Sequence, residues 1–140
     1  MFNVLVNIEY ELLFDNLKTE APDSFSLALV DFKHPDEKLN ALLCKTDAIL
    51  GQVSLSDSQF ESAGKLKIIQ TLSAGYDKID LEKARRHKVR VANNNGANAI
   101  AVAEHVLMLI FVLYRRLLFH HRSVTSGPWK NLKHTNRELS

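Results

Sequence analysis

Glycine is scarce, and its spacing excludes more than its number. The five glycines are Gly51, Gly64, Gly75, Gly96 and Gly127. No two lie close enough for the Gly-x-Gly turn that cradles a dinucleotide phosphate, so this chain carries no cofactor site of the usual kind. Cysteine is nearly absent. The lone Cys44 excludes an internal disulfide and gives no sign of an oxidising compartment. It falls in a helical pattern and reads as a small core residue. Charge of one sign is also missing: a net charge of +2 argues against nucleic acid or an anionic membrane as a partner. The dense basic stretch from Lys83 to Arg90 has no aromatic residues interleaved with it and reads as a solvated helix face.

There is no long hydrophobic run. The apolar core Val106 to Tyr114 is far shorter than the ~20 residues a bilayer requires, and Glu104 and His105 adjoin it. Met1 to Ile8 has no basic start and is too short for a signal sequence. A cytoplasmic protein is expected. No repeat or low-complexity segment occurs. His120-His121 lacks the i, i+4 spacing of a helical metal pair, so no metal site is expected.

What is present is an alternation of short apolar runs with helical patterns. Strands are expected at Phe2–Ile8, Phe25–Val30, Asp47–Val53, Leu66–Leu72 and Val89–Ala92. Helices are expected at Glu9–Lys18, from Pro35 to about Lys45 with Leu39, Leu42 and Leu43 on one face, from Ser56 or Asp57 to Ala63 with Gly64 as its stop, and at Asp80–His87. Right-handed crossovers stack such units into one parallel sheet with helices on both faces, a flavodoxin-like α/β fold with strand order 2-1-3-4-5. A long helix then runs from about Ala97, broken only at Gly127-Pro128, into the polar tail Trp129–Ser140. Its middle is apolar all round, which calls for cover that one small sheet does not provide. The natural division is residues 1–96 and 97–140.

In a parallel sheet, ligand chemistry collects on the loops at the carboxyl ends of the strands. Those loops are Gln52-Val53-Ser54, Ser73–Asp77 and Asn93–Asn98. Ala74 and Gly75 carry almost no side chain, so a ligand anion such as a carboxylate can approach their backbone N–H groups. The same residues also suit a plain tight turn with Gly75 at positive φ. Asn98 can cap the long helix or offer its amide to a ligand, and its residue type fits both. Glu104 and His105 are adjacent on a helix and point about 100° apart, so they are not an acid–base pair. A structural hydrogen bond is expected of Glu104, and a packed or surface position of His105. No catalytic constellation is legible.

The wording of Leu66 to Arg116 resembles the NAD-dependent D-2-hydroxyacid dehydrogenases. The resemblance rests on Ser73-Ala74-Gly75-Tyr76-Asp77, on Gly96-Ala97-Asn98-Ala99 and on Val102-Ala103-Glu104-His105. It implies the substrate domain of a two-domain enzyme, followed by the helix that crosses to a dinucleotide-binding domain. Gly127 to Trp129 resembles the family's Gly-x-Trp segment, and Ser140 falls where members begin the nucleotide fold. The resemblance implies that Ala74 and Gly75 hold the substrate carboxylate through backbone amides, that Asn98 lies by the substrate and that Val102 borders the nicotinamide. Gln52-Val53 stands where many members have Arg-Ser. The family's catalytic Arg, Glu and His lie beyond this chain, so no residue here is assigned those roles. The implied substrate is a small 2-oxo or 2-hydroxy acid. The implied cofactor is NAD or NADP in the complete enzyme, with none bound by this chain alone. The implied partners are the dinucleotide-binding domain and a second copy of the chain, in a homodimer or other self-association. The alternative is a free-standing flavodoxin-like module that binds a small carboxylate or a protein partner without catalysis.

Overall fold

The computed structural model describes residues 1–34 and 37–127. It divides into two compact units, Met1–Asn95 and Gly96–Ser140. The first unit is a five-stranded sheet in which every pairing is parallel. Its strands are β1 (Phe2–Asn7), β2 (Phe25–Val30), β3 (Ala48–Leu50), β4 (Ile68–Gln70) and β5 (Arg90–Ala92). Their spatial order is β2-β1-β3-β4-β5, the order expected from the sequence. The helices between them are α1 (Glu11–Glu20), α2 (Glu37–Leu43), α3 (Asp57–Ser62) and α4 (Leu81–Arg86).

Register aligns one apolar row across the sheet. Ala28, Leu5, Ile49, Ile69 and Val91 are successive partners on neighbouring strands. Alternation along each strand sends the whole row to one face. There it packs with Leu39 and Leu43 of α2, with Phe60 and Ala63 at α3 and with Ala84 of α4. Burying each large side chain of that set contributes roughly 1.5–3 kcal/mol. The opposite face is less fully covered. Val4, Leu27, Ala48, Leu50 and Ile68 line an apolar cavity of about 430 Å³ there, with Leu17 of α1 at its wall.

Several boundaries differ from the sequence reading, each for a physical reason. β3 and β4 are three residues long because Val53, Leu55 and Leu66, though apolar, are buried from loops rather than from strands. Apolar runs report burial, and burial does not require a ladder. Ile8 leaves the sheet for a 3-10 turn over Ile8–Tyr10 before α1 begins. In α2, Leu39 and Leu43 share the buried face, but Leu42 is 38% exposed. Cys44 is also exposed, with its thiol donating to the Asn40 carbonyl at 3.3 Å, so it is not a core residue. Pro35 lies outside the described residues.

Local signals held at two helix starts. Ser56 caps α3 through a reciprocal box: the Gln59 N–H donates to Ser56 Oγ at 3.2 Å, and the Ser56 N–H donates to Gln59 Oε1 at 2.9 Å. Asp80 caps α4 by accepting from the Lys83 N–H at 3.0 Å. At its other end α3 closes on Ala63, and Gly64 does not take the left-handed conformation expected of a stop. The basic stretch is partly paired. Lys83 and Arg86 lie 3.4 and 3.2 Å from the Asp57 carboxylate, and the His87 ring stacks on Phe60 at 5.1 Å. At the amino end of β3, the Asn3 N–H donates to Asp47 Oδ2 at 3.0 Å, and this bond holds the carboxyl below its ordinary pKa.

The second unit contains α5 (Ala99–Tyr114) and α6 (Leu117–Thr125). The expected single helix is therefore broken earlier than Gly127, at Arg115-Arg116, where Arg116 adopts φ 48°. Nothing in the local sequence forces that break. No residue of α5 is buried, and Leu113 and Ile100 are 75% and 78% exposed. No helix among the described residues is long and apolar enough to cross a membrane.

Gly51 ends β3 with φ +143°, and a Cβ there would stand 2.5 Å from Asn7 Cβ. Gly51→Ala adds both backbone strain and overpacking, and should cost about 2–4 kcal/mol of unfolding free energy. Gly64→Ala meets nothing within 4 Å and should change stability by less than about 0.5 kcal/mol. Urea denaturation of both variants checks the contrast. Equal midpoints would remove the close approach at Gly51.

Candidate functional site

A parallel sheet places every strand's carboxyl end on one edge, so the loops after β3, β4 and β5 start side by side. Side-chain amides tie them together. Gln52, leaving β3, donates from Nε2 to Ser73 Oγ at 2.8 Å and to the Gly75 carbonyl at 3.0 Å. Asn93, leaving β5, donates from Nδ2 to the Ala74 carbonyl at 2.7 Å. Asn94 donates from Nδ2 to the Leu72 carbonyl at 3.3 Å and from its backbone N–H to the Ser73 carbonyl at 3.1 Å. The fully buried Thr71 hydroxyl reaches that same Ser73 carbonyl at 2.6 Å. Ser73 Oγ in turn contacts the Gly75 carbonyl at 3.2 Å.

The central loop, Ser73–Gly75, thus has every carbonyl engaged by the protein. Among the described residues the N–H groups of Ala74 and Gly75 donate to no protein acceptor. Ala74 is exposed and Gly75 half-buried, so both groups are within reach of a ligand. Unpaired N–H groups on consecutive residues form the kind of concavity that holds an anion. Gly75 is not at positive φ, which removes the simple-turn explanation for its presence. Space explains it instead: a Cβ there would lie 3.3 Å from Asp77 Oδ2 and 3.4 Å from Gln52 Nε2. A cavity of about 140 Å³ adjoins the loop, walled by Tyr76, Leu81, Val91, Ala92 and Asn93.

Behind the loop, Asn7 at the end of β1 is 2% exposed and donates from Nδ2 to the Gln52 carbonyl at 3.1 Å. Its Oδ1 has no hydrogen-bond partner. Sequence reasoning missed this residue. A lone Asn at the end of an apolar strand in a chain of ordinary composition was the only sign of it.

The other sequence candidates lie in the second unit. Asn98 precedes α5 and is exposed, and its side chain makes no capping bond to the helix. That leaves its amide available to a ligand. Val102 is 51% exposed on α5. Glu104 does not make the structural hydrogen bond expected of it among the described residues, and His105 is at the surface. No group of three His, Cys, Asp or Glu among the described residues is placed to hold a metal ion.

The fold defines an α/β domain of the parallel-sheet class. Comparison with known proteins narrows the class to one family. Residues 11–136 match the family described as D-isomer specific 2-hydroxyacid dehydrogenase, catalytic domain, and the chain belongs to that family. It is similar to the glyoxylate reductase of Korarchaeum cryptofilum, with 32% identity over 126 residues, 90% of this chain and 35% of that protein. It is also similar to the glyoxylate reductase of Pyrococcus furiosus, with 33% identity over 98 residues, 69% of this chain and 29% of that protein. Among solved structures, a 2-hydroxyacid dehydrogenase from Ketogulonicigenium vulgare Y25 superposes with a TM-score of 0.74 at 21% identity, covering 99% of this chain and 45% of that one. The chain spans about a third of the length of the curated relatives it matches.

Proposed function

We propose that this chain is the substrate-binding domain of an NAD(P)-dependent D-2-hydroxyacid dehydrogenase, with residues 1–96 forming the domain and residues 97–140 the crossing helix and linker toward a dinucleotide-binding domain. The reaction is the reversible reduction of a small 2-oxo acid to its D-2-hydroxy acid. The observation that carries this reading is the Ser73–Gly75 loop, whose Ala74 and Gly75 N–H groups are unpaired on the edge where three strand-end loops meet. In this reading they hold the substrate carboxylate, and the uncommitted amide of Asn98 lies by the substrate.

Electrostatics supports a site completed from elsewhere. Among the described residues every side chain bonded to the loop is neutral, and the Asp77 carboxylate lies beside Gly75. Lys78, next in sequence, is paired with Glu9 at 3.3 Å. Backbone dipoles alone hold a carboxylate weakly against water and against a neighbouring negative charge. The missing cation is the Arg that family resemblance assigns to the second domain, along with the His that transfers the proton and the Glu that tunes it. No residue of this chain is catalytic in this scheme.

The cofactor's place is consistent with this chain only as a border. The chain has no Gly-x-Gly turn, and the apolar, half-exposed Val102 suits the edge of a nicotinamide ring. NAD or NADP, bound by the other domain, supplies the hydride that passes to C2 of the 2-oxo acid. This chain's own work is to fix the carboxylate, orient C2 and exclude water along one wall. The bare α5 surface is the face that meets the second domain, and self-association covers it in the isolated chain. A cytoplasmic location follows from this role.

The direct test joins this chain to the dinucleotide-binding domain of a similar glyoxylate reductase and follows NADH oxidation with glyoxylate. Turnover, with no NADH binding by the 140-residue chain alone in calorimetry, is the expected pair of results. Micromolar NADH binding by the chain alone would overturn the division of labour.

In that two-domain enzyme Gly75→Val should raise KM for the 2-oxo acid by at least about tenfold while leaving the NADH constant within about twofold. Its branched side chain presses on Gln52 and Asp77 and fills the approach to the amides. Unchanged KM and kcat in a folded variant would make the loop a turn and nothing more.

The isolated chain should self-associate. Val106, Leu107, Phe111 and Leu113 are all 49–75% exposed, and apolar patches beyond a few hundred Å² find a partner. Sedimentation across a concentration range decides this. A monomer throughout, with no binding of a hydrophobic dye, would favour a free-standing module.

A further inference from the structure

We propose that Asn93 and Gln52 are positioning residues for the carboxylate loop, and that they bring a third backbone donor, the Tyr76 N–H, to the same site. This rests on the reading of the loop as a carboxylate site. In a trans peptide the C=O of one residue and the N–H of the next lie in one plane and point in opposite directions. No cis peptide occurs among the described residues. Whatever holds a carbonyl therefore aims the following N–H.

Three successive peptides are held this way. The Ser73 carbonyl is fixed by Thr71 Oγ1 at 2.6 Å and the Asn94 N–H at 3.1 Å, which aims the Ala74 N–H. The Ala74 carbonyl is fixed by Asn93 Nδ2 at 2.7 Å, which aims the Gly75 N–H. The Gly75 carbonyl is fixed by Gln52 Nε2 at 3.0 Å, with Ser73 Oγ beside it at 3.2 Å, which aims the Tyr76 N–H. None of these three N–H groups has a protein acceptor among the described residues. The Ala74 carbonyl is tied by Asn93 and the Gly75 carbonyl chiefly by Gln52, so the Gly75 and Tyr76 donors answer to different side chains.

The two amides are well founded. Gln52 spends both Nε2 hydrogens on the loop, one on Ser73 Oγ and one on the Gly75 carbonyl, so none is left for a ligand. Its backbone is held by the buried Asn7, whose Nδ2 donates to the Gln52 carbonyl at 3.1 Å, and by the Gly51 N–H, which donates to the Gln70 carbonyl at 2.8 Å. Asn93 follows the last residue of β5 directly. The central loop is thus gripped from the strands on both sides of β4, which is how a supporting shell fixes donors before a ligand arrives. A carboxamide suits the task because it donates without adding charge. A carboxylate in its place would offer the carbonyl no donor and would repel the incoming anion.

The test uses the whole 15N-labelled chain and oxamate, an unreactive isostere of a 2-oxo acid. In the wild type, the amide protons of Ala74, Gly75 and Tyr76 should shift together and saturate with one dissociation constant. In N93A the shift at Gly75 should fall by at least about half while that at Ala74 persists. In Q52L the loss should fall on Tyr76 instead. Each variant should weaken oxamate binding by roughly 5–10-fold, the worth of one orienting hydrogen bond. A purely structural role would reduce all three shifts alike.

No saturable shift in the wild type would overturn the carboxylate site and this proposal with it. A wild-type response that N93A and Q52L leave unaltered would overturn the positioning role alone. A second measurement needs no variant: through-hydrogen-bond couplings from the Asn93 and Gln52 side-chain nitrogens to the Ala74 and Gly75 carbonyl carbons. Their presence before and after oxamate supports the proposal. Their absence, or their loss on binding as the side chains turn to the ligand, contradicts it.

Discussion

One row of apolar side chains, Ala28, Leu5, Ile49, Ile69 and Val91, crosses all five strands, and the rest of the first unit depends on its burial. Because side chains alternate along a strand, slipping any pairing by one residue would turn that strand's share of the row away from α2, α3 and α4. The row therefore fixes register. Parallel register in turn sets the loops after β3, β4 and β5 at one edge. The loop contacts at that edge follow from the register: Gln52 reaches Gly75, and Asn93 reaches Ala74, because Ile49, Ile69 and Val91 are level with one another.

From that placement the chemistry follows in small steps. Carbonyls bonded inward leave N–H groups unpaired among the described residues, and such groups can donate to an anion. With neutral partners and a nearby Asp77, they would hold an anion only weakly on their own. The proposed function gives such a half-site its context, an enzyme whose charged groups and nucleotide would arrive on another domain. The exposed apolar helix α5 fits the same picture, since a surface that bare is built to be covered.

Much of this was legible in the residues. The helix starts, including the cap at Ser56, follow from local pattern, because propensity and capping act over a few positions, and the strand order follows from the alternation of strands and helices with right-handed crossovers. What was not legible is long-range. Gln52 looked like a departure from an Arg position. Its part in the loop depends on partners 21 and 23 residues away. Asn93 looked like turn composition, yet it bonds 19 residues back. The buried Asn7 gave only an ambiguous sign because an asparagine after Val6 is equally at home at a solvated strand end. The short β3 and β4 and the exposed Leu42 and Cys44 share one cause: apolarity marks what is buried, and neither length of strand nor face of helix is fixed by it alone. The turn at Arg116 has no signature in the sequence at all.

The central claim is that this edge receives a carboxylate through backbone amides held from behind. The most direct measurement is a crystal structure of the two-domain enzyme with NADH and oxamate. The account predicts a carboxylate oxygen within about 3 Å of the Ala74 and Gly75 nitrogens, with the Ala74 carbonyl still on Asn93 and the Gly75 carbonyl still on Gln52. A carboxylate bound elsewhere, or a loop carbonyl turned toward the ligand, would contradict it.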